Sequence, residues 1–243
     1  MSMSLLPIIV SSLCTGLGAL PILLVRDVSH KGKDMLLAST AGIMVAASAY
    51  GLIPNAIQLS NVMVLVVGIL FGTLVLTLLE SMIPHVDLNH SEQSSRKKRV
   101  VLLFLVAMCL HNVPEGLSVG ISNASENYEV GSLVSFAIGL QNVPDGFLVA
   151  LFLLSQNVSV IRAILLATLT GVIEMSAGLI GVLLGGTFEP LIPYGLAFAA
   201  GSMLFVVYKE LIPESHGDGN ERASTWAFII GFVSMVLLTE VFR

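Results

Sequence analysis

The chain has little charge, little cysteine and a single tryptophan. Charged residues make up 11% of its 243 residues and hydrophobic residues 55%, with a mean hydropathy of +0.92, whereas a soluble domain carries about 25% charged residues. A water-soluble core of this length could not bury so much apolar surface. Cys14 and Cys109 both fall inside apolar runs, so no disulfide framework is expected. We therefore expect a protein whose surroundings are the lipid bilayer, with no nucleic-acid partner.

Long apolar runs recur along the whole chain. Each is close to the ~20 residues that a helix needs to cross ~30 Å of hydrocarbon, and their continuous rather than alternating character excludes a β-barrel. Residues 1–4 contain no Lys or Arg, so we expect a first span there rather than a signal peptide. The sequence predicts an all-α integral membrane protein with one transporter domain over residues 1–243. Its eight predicted spans cover residues 5–25, 35–54, 62–84, 100–122, 131–154, 161–184, 192–213 and 224–242.

The basic residues predict the orientation. With eight spans, ten of the eleven Lys and Arg residues fall on one side, and only Arg243 falls on the other. The positive-inside rule makes the basic side cytoplasmic, so both termini face outward from the plasma (inner) membrane. The run at 96–99 is a topology anchor or a contact with anionic lipid.

Two internal repeats are visible. Residues 110–116 (LHNVPEG) recur as 140–146 (LQNVPDG) in spans four and five, which run in opposite directions. A fainter repeat places Gly and Pro twelve residues apart in span two (Gly42, Pro54) and again in span seven (Gly201, Pro213). We interpret spans 1–3 and 6–8 as inverted repeats around a central 4–5 pair, a transporter feature that places the substrate near the midplane.

Polar side chains converge at the middle of the bilayer. His111 and Gln141 lie about 16–18 Å from the nearer edge of their spans at 1.5 Å per residue. Glu115 and Asp145 follow them by four residues and so share their helix faces, while Glu174 lies near the middle of span six. A carboxylate at the bilayer centre costs several kcal/mol, so we expect a cation there. The alternative for one such pair is a helix-packing device.

Each motif also carries a proline. Pro114 and Pro144 remove a backbone donor, free a carbonyl one turn earlier and are expected to kink their helices. Freed carbonyls at membrane depth are tolerated where they line a cavity. One imidazole with carboxylate and amide oxygens, and no thiolate, favours Zn²⁺, Fe²⁺ or Mn²⁺ over Cu⁺, Mg²⁺ or Ca²⁺. The ion is expected as transported substrate, without an organic cofactor.

Other polar residues keep two interpretations each. Glu80, Glu210 and Glu214 lie near cytoplasmic span ends and indicate either an exit pathway or simple solvation. The polar loop 85–99 holds His85 and His90 beside Asp87, which either bind metal loosely or occur there by chance.

At these residues the chain resembles the ZIP (Zrt-, Irt-like protein) family of divalent metal transporters. The fourth-span motif His-Asn-x-Pro-Glu-Gly of that family stands in full at 111–116. Residues 83–85 (IPH) and 210–216 (ELIPESH) are similar to the bacterial-type GufA-like branch. The resemblance implies eight spans, outward termini, metal transport toward the cytosol and a homodimer.

The resemblance also implies a site of one or two metal ions. The residues it assigns to that site are His111, Asn112, Glu115, Gln141, Asn142, Asp145 and Glu174. Four departures from the family pattern bear on the metal and its stoichiometry. Gln141 stands where many members have His, Asp145 where they have Glu and Met175 where they have Pro, while Lys209 would place an ammonium near a second metal position.

Two other functions compete with transport. An intramembrane metalloenzyme would need a His-Glu-x-x-His motif, whereas residues 111–115 read His-Asn-Val-Pro-Glu with no second His at that depth. A metal sensor or scaffold would bind the ion without moving it. We therefore expect a transporter, most simply of zinc, and not an enzyme.

Overall fold

A computed structural model describes residues 5–25, 28–82, 93–125, 128–217 and 219–241. In these ranges the chain is helical and contains no strand, and eight helices are long and apolar enough to cross a membrane. The prediction of eight spans is therefore confirmed. The helices are α1 (Leu6–Leu23), α2 (His30–Leu59), α3 (Val62–Met82), α4 (Gln93–Ala124), α5 (Tyr128–Ser155), α6 (Val160–Thr187), α7 (Leu191–Ser215) and α8 (Glu221–Val241).

α2 and α4 begin well before the predicted starts of their spans, at residues 30 and 93 instead of 35 and 100. α2 begins at His30 because the Ser29 hydroxyl accepts a hydrogen bond from the Gly32 amide at 3.1 Å, an N-cap that the apolar pattern does not reveal. α4 begins at Gln93, so the predicted loop 85–99 is too long and its last residues are helical. Gln, Arg and Lys are good helix formers and extend α4 beyond its apolar part. The loop residues His85, Asp87 and His90 lie outside the described residues.

α2 and α7 each contain a wider, π-helical segment that the sequence analysis did not predict. These segments, Ala47–Leu52 and Val207–Leu211, end directly before an Ile-Pro pair, at Pro54 and at Pro213. A proline cannot donate to the carbonyl four residues earlier, and its ring clashes with that carbonyl. The wider turn accommodates the clash.

The helices pack as a central group with two flanking pairs. α1, α4, α5 and α6 contact one another, while α2 packs against α8 and α3 packs against α7. In an inverted repeat, α1, α2 and α3 would correspond to α6, α7 and α8, and α4 would correspond to α5. The contact of α2 with α8 then corresponds to that of α7 with α3. Likewise, the contact of α1 with α5 corresponds to that of α6 with α4. This pattern is consistent with the inverted repeat, and the symmetry itself stays a prediction.

The eight spanning helices differ in burial. Only 17% of the most apolar stretch of α3 is buried inside the protein, against 61% for α2, α5 and α7. The exposed side chains of α3 include Val66, Leu70 and Leu74, and an apolar face of this extent suits lipid rather than water. α3 therefore lies at the periphery of the helix bundle.

Candidate metal site

All seven residues that the sequence analysis assigned to the site are buried. They lie on three helices: His111, Asn112 and Glu115 on α4, Gln141, Asn142 and Asp145 on α5, and Glu174 on α6. A polar side chain is withdrawn from solvent at a substantial cost unless it finds partners. Contacts between side chains place six of the seven in two groups, and the side-chain nitrogen of Asn112 has no hydrogen-bond partner.

The first group joins α4 to α5. His111, Glu115 and Asp145 each offer a ligand atom, and these atoms lie within 4.8 Å of one another. The Nε2 atom of His111 is 3.4 Å from Oε1 of Glu115, as expected for residues four apart on a helix. The side-chain amide of Gln141 donates to the same Glu115 oxygen. Two acidic residues and an imidazole thus meet with an amide at one point.

Most of the buried polar atoms without a partner belong to the predicted site. Of ten such side-chain atoms among the described residues, seven come from it. Each unpaired buried group costs about 1–3 kcal/mol. These seven atoms are both ring nitrogens of His111, Nδ2 of Asn112, Oε2 of Glu115, Oε1 of Gln141, Oδ2 of Asp145 and Oε1 of Glu174. A cation would satisfy the oxygen and imidazole acceptors among them.

The second group joins α5 to α6 and α1. The side-chain nitrogen of Asn142 donates to Oε2 of Glu174 at 2.8 Å and to the carbonyl of Ser11 at 2.9 Å. The Thr15 hydroxyl lies 3.4 Å from the same Glu174 oxygen. Glu174 is not part of the His111 cluster. The sequence analysis missed the contribution of α1, although Ser11, Ser12 and Thr15 form a polar patch in an otherwise apolar span.

The glycine that ends each motif sets the helix packing around the site. A Cβ atom on Gly116 would overlap the carbonyl oxygen of Glu174, and one on Gly146 would overlap the carbonyl oxygen of Thr15. Only glycine permits such a close backbone approach. Gly116 thus brings α6 against α4, and Gly146 brings α1 against α5.

The motif prolines lie within continuous helices. α4 and α5 pass through Pro114 and Pro144 without a break in α-helical structure. Neither proline can donate to the carbonyl four residues earlier, which belongs to Leu110 in α4 and Leu140 in α5. These carbonyls directly precede His111 and Gln141. The predicted kinks stay a prediction.

A cavity of about 720 Å³ reaches the first group from one side of the molecule. His111 and Asp145 lie at its inner end, and the exposed residues Ser155, Lys209 and Glu214 lie at its outer end. It is bordered by the start of α2 and the ends of α5 and α7, which is the side that carries the basic loops. The cavity therefore extends from the buried residues His111 and Asp145 to the predicted cytoplasmic side.

The opposite half of the α4–α5 contact is closed. Asn123 of α4 donates a 2.7 Å hydrogen bond to the hydroxyl of Ser135 on α5. Between this bond and the site, Ser118, Val119 and Ser122 are buried. This hydrogen bond and these buried residues therefore lie between the site and the predicted outer side, whereas the cavity lies on the predicted cytoplasmic side.

Glu80, Glu210 and Glu214, which the sequence analysis interpreted as an exit pathway or as simply solvated, lie in different places. Glu210 and Glu214 line the cavity, whereas Glu80 forms a 3.5 Å ion pair with Lys209. The Lys209 ammonium, expected near a second metal position, thus ties α7 to α3 at the cavity mouth. Asp34 also lines the cavity, is buried and accepts a 2.9 Å hydrogen bond from Asn220.

The comparisons with known proteins agree with these features. The family model described as ZIP Zinc transporter matches residues 84–239. Zinc transporter GufA of Myxococcus xanthus is 38% identical over 249 residues, which cover 98% of each chain. Zinc transporter ZIPB of Bordetella bronchiseptica is 35% identical over 92% of this chain and 76% of its own length. Zinc transporter ZIP11 of Homo sapiens is 39% identical over 62% of this chain and 46% of its own length.

The family match covers more than half of the chain, and the GufA relative covers nearly all of it. The resemblance noted at residues 111–116 is therefore confirmed, and the interpretation as a transporter rather than an enzyme is confirmed with it. The chain belongs to the ZIP family of zinc transporters.

Proposed function

We propose that this chain carries a divalent transition metal, zinc first, across the plasma membrane into the cytosol. The ion binds at the midplane between α4 and α5, with His111, Glu115 and Asp145 as ligands and Gln141 and Asn112 beside them. The relatives named above are zinc transporters, which supports zinc as the cargo. As in the sequence analysis, we propose that the chain works as a homodimer.

One observation carries the proposal: three ligating side chains from two helices meet in a buried place. Zinc binds imidazole nitrogen and carboxylate oxygen at about 2.0–2.2 Å, so two ligand atoms of one ion lie at most ~4.4 Å apart. The ligand atoms of His111, Glu115 and Asp145 lie within 4.8 Å of one another. Movements of under ~1 Å close them around an ion.

The ligand set also sets how tightly the ion is held. Gln141 has a buried, unpartnered oxygen, and a neutral amide oxygen is a weak fourth ligand for zinc. A site that conducts must release its ion. The same weak ligand admits harder ions such as Mn²⁺ and Fe²⁺.

The cavity supplies the route of release. Its inner end is at His111 and Asp145, and Glu210 and Glu214 lie along it. An ion leaving the midplane thus meets carboxylates before it reaches the cytosol. This favours the exit-pathway interpretation of these two residues over simple solvation.

Uptake of ⁶⁵Zn²⁺ into proteoliposomes tests the proposal. We expect accumulation in vesicles, competition by unlabelled Cd²⁺, Mn²⁺ and Fe²⁺, and no accumulation with His111→Ala, checked for folding by its elution as a single peak in detergent. Saturable binding without accumulation would identify a sensor or scaffold instead. Near-normal uptake by the His111 variant would refute the site.

The orientation is tested separately by labelling single cysteines. In a chain whose Cys14 and Cys109 are replaced by Ala, Lys31→Cys and Lys98→Cys are expected to react only with reagents admitted to the cytoplasmic side. Ser60→Cys, between α2 and α3, is the matched control and is expected to react from outside. The reverse pattern would invert the topology and contradict the positive-inside argument.

A further inference from the structure

The cavity that reaches the midplane site has two chemically different sides. Of the eighteen described residues that line it, ten are apolar, and most of these ten come from α4 and α5. Apart from Asp145, every charged residue among the eighteen comes from α2 or α7. The cavity is therefore mainly apolar along α4 and α5 and charged along α2 and α7.

The apolar side carries a pair of stacked aromatic rings. Phe104 of α4 and Phe152 of α5 both line the cavity, with ring centroids 3.8 Å apart and planes inclined by 27°. Phe104 precedes His111 by seven residues, and Phe152 follows Asp145 by seven, so each ring shares a helix face with a residue of the midplane cluster. At 1.5 Å per residue the pair lies ~10 Å from that cluster. It thus borders the cavity between the cluster and the predicted cytoplasmic side.

The charged side has an excess of carboxylates. Its described residues are the acids Asp34, Glu210 and Glu214 and the bases Lys33 and Lys209. The Lys209 ammonium lies 3.5 Å from a carboxylate outside this lining, that of Glu80, so part of its charge is already compensated. A cleft lined by one sign of charge concentrates ligands of the opposite sign. This side of the cavity therefore favours a cation.

Transport of a metal ion does not explain the apolar side. The inner end of the cavity provides the acceptors that an ion needs, because both ring nitrogens of His111 and Oδ2 of Asp145 are buried without a partner. A hydrated ion gains nothing from aromatic and aliphatic walls. Small-molecule sites, by contrast, have volumes of ~300–1,000 Å³ and combine apolar walls with a few polar groups. The volume of about 720 Å³ and the mixed lining match that description.

We propose that the outer part of this cavity is a binding site for an aromatic organic cation, of which an aryl amidine is the simplest example. The ring packs against the Phe104–Phe152 pair through offset or edge-to-face contacts. The planar N–H groups of the cation donate to Glu210 and Glu214, as a guanidinium donates to carboxylates. A cation bound there obstructs the route from His111 to the cytosol. The site goes beyond the proposed function, because its ligand is not the transported ion.

Three naphthalene probes of nearly the same shape separate the contribution of charge from that of apolar contact. At neutral pH 2-naphthamidine is a cation, 2-naphthamide is neutral and 2-naphthoate is an anion. Equilibrium dialysis measures their binding to the zinc-free full chain in detergent, after subtraction of binding to detergent alone. We expect saturable binding of one naphthamidine per chain, at least about tenfold tighter than naphthamide, because hydrogen bonds between charged groups are the stronger ones. Naphthoate is expected to bind more weakly than either.

Two substitutions locate the bound probe. Glu210→Gln removes a carboxylate charge while keeping the side-chain shape, and Phe152→Leu removes a ring while keeping an apolar side chain. Each is expected to weaken naphthamidine binding by at least about threefold. Glu221→Gln and Phe188→Leu are the matched controls, because both residues are exposed and neither lines the cavity. The controls are expected to bind as the unaltered chain does.

Uptake of ⁶⁵Zn²⁺ into proteoliposomes measures the obstruction. Naphthamidine on both sides of the membrane is expected to at least halve the initial rate, at a concentration at which naphthamide has no effect. Phe152→Leu is expected to require more naphthamidine than the unaltered chain for the same fractional inhibition.

Equal affinities for naphthamidine and naphthamide, or tighter binding of naphthoate, would show that the cavity does not select a cation. If either substitution leaves binding as its control does, the probe is bound elsewhere and the proposal is wrong. Should Phe152→Leu not elute as a folded protein, Glu210→Gln and its control decide. Binding without inhibition of uptake would refute the obstruction. A chain that binds naphthamidine as expected but accumulates no zinc contradicts the proposed function alone, because the binding is measured without zinc.

Discussion

The two motif copies on α4 and α5 share a scaffold and differ in their ligands. In each, a proline leaves a carbonyl without a backbone donor just before the first polar residue. In each, the backbone of a neighbouring helix packs directly against the glycine that ends the motif, α6 against Gly116 and α1 against Gly146. The first residues of both copies contact Glu115, whereas the second residues and the acids have different partners.

The copy on α4 provides two of the three clustered side chains, His111 and Glu115, whereas the copy on α5 provides only Asp145. Gln141 supports Glu115 through its amide, and Asn142 supports Glu174. By contrast, the amide nitrogen of Asn112 has no partner. A repeated scaffold can therefore carry unequal side chains: α4 supplies two members of the cluster, and α5 supplies one member and two amides that donate to carboxylates.

The largest effect is expected from a substitution at Gly116, one of the two glycines that the motif copies share. Gly116→Val places side-chain atoms where the Glu174 carbonyl lies, and backbone on both sides cannot yield as a flexible side chain would. We expect no folded transporter, as judged by the loss of a single peak in detergent chromatography.

Gly51→Ala is the matched control for this prediction. Its added Cβ atom would meet only the Leu133 side chain at 3.8 Å, so the protein should keep its elution profile. A folded, active Gly116→Val variant would show that α4 and α6 do not pack as closely as described.

The next largest effect compares alanine substitutions at the first polar residue of each copy, His111 and Gln141. Removing a group that supports a metal ligand costs about 10–100-fold in affinity or activity, so removal of a direct ligand is expected to cost more. We expect His111→Ala to lower the initial rate of zinc uptake by at least about 100-fold and Gln141→Ala by about tenfold. Equal losses in the two variants would contradict the unequal roles of α4 and α5.

The smallest effect is expected from Gln141→His, which gives both copies a histidine at the first polar position. Gln141→His replaces a weak amide oxygen with an imidazole, which binds zinc more tightly than it binds manganese. We expect a lower apparent KM for Zn²⁺, a slower turnover because a tighter site releases its ion reluctantly, and a smaller gain for Mn²⁺. An unchanged ratio of Zn²⁺ to Mn²⁺ uptake would mean that residue 141 does not touch the transported ion.

Much of this arrangement could be predicted from local sequence. Helices long enough to span the bilayer follow from apolar run length, and the facing of His111 with Glu115 follows from a spacing of four. Both depend on one segment at a time. The burial of all seven predicted residues follows from the cost of exposing them to lipid.

The parts that could not be predicted depend on contacts between distant segments. That Ser11 and Thr15 meet Asn142 and Glu174 follows from how α1 packs on α5 and α6, which no periodicity reveals. The direction of the Asn142 amide is set by a carbonyl 131 residues away. The pairing of Lys209 with Glu80 likewise depends on how α7 packs against α3.

The place of the ion tests the central claim most directly. Anomalous diffraction at the zinc edge, from crystals of the zinc-loaded full chain, locates the metal without reference to transport. We expect one midplane peak about 2.0–2.2 Å from a nitrogen of His111 and from oxygens of Glu115 and Asp145. A midplane that stays empty while zinc binds only at Glu210 and Glu214, or a peak centred on Glu174, would contradict the account.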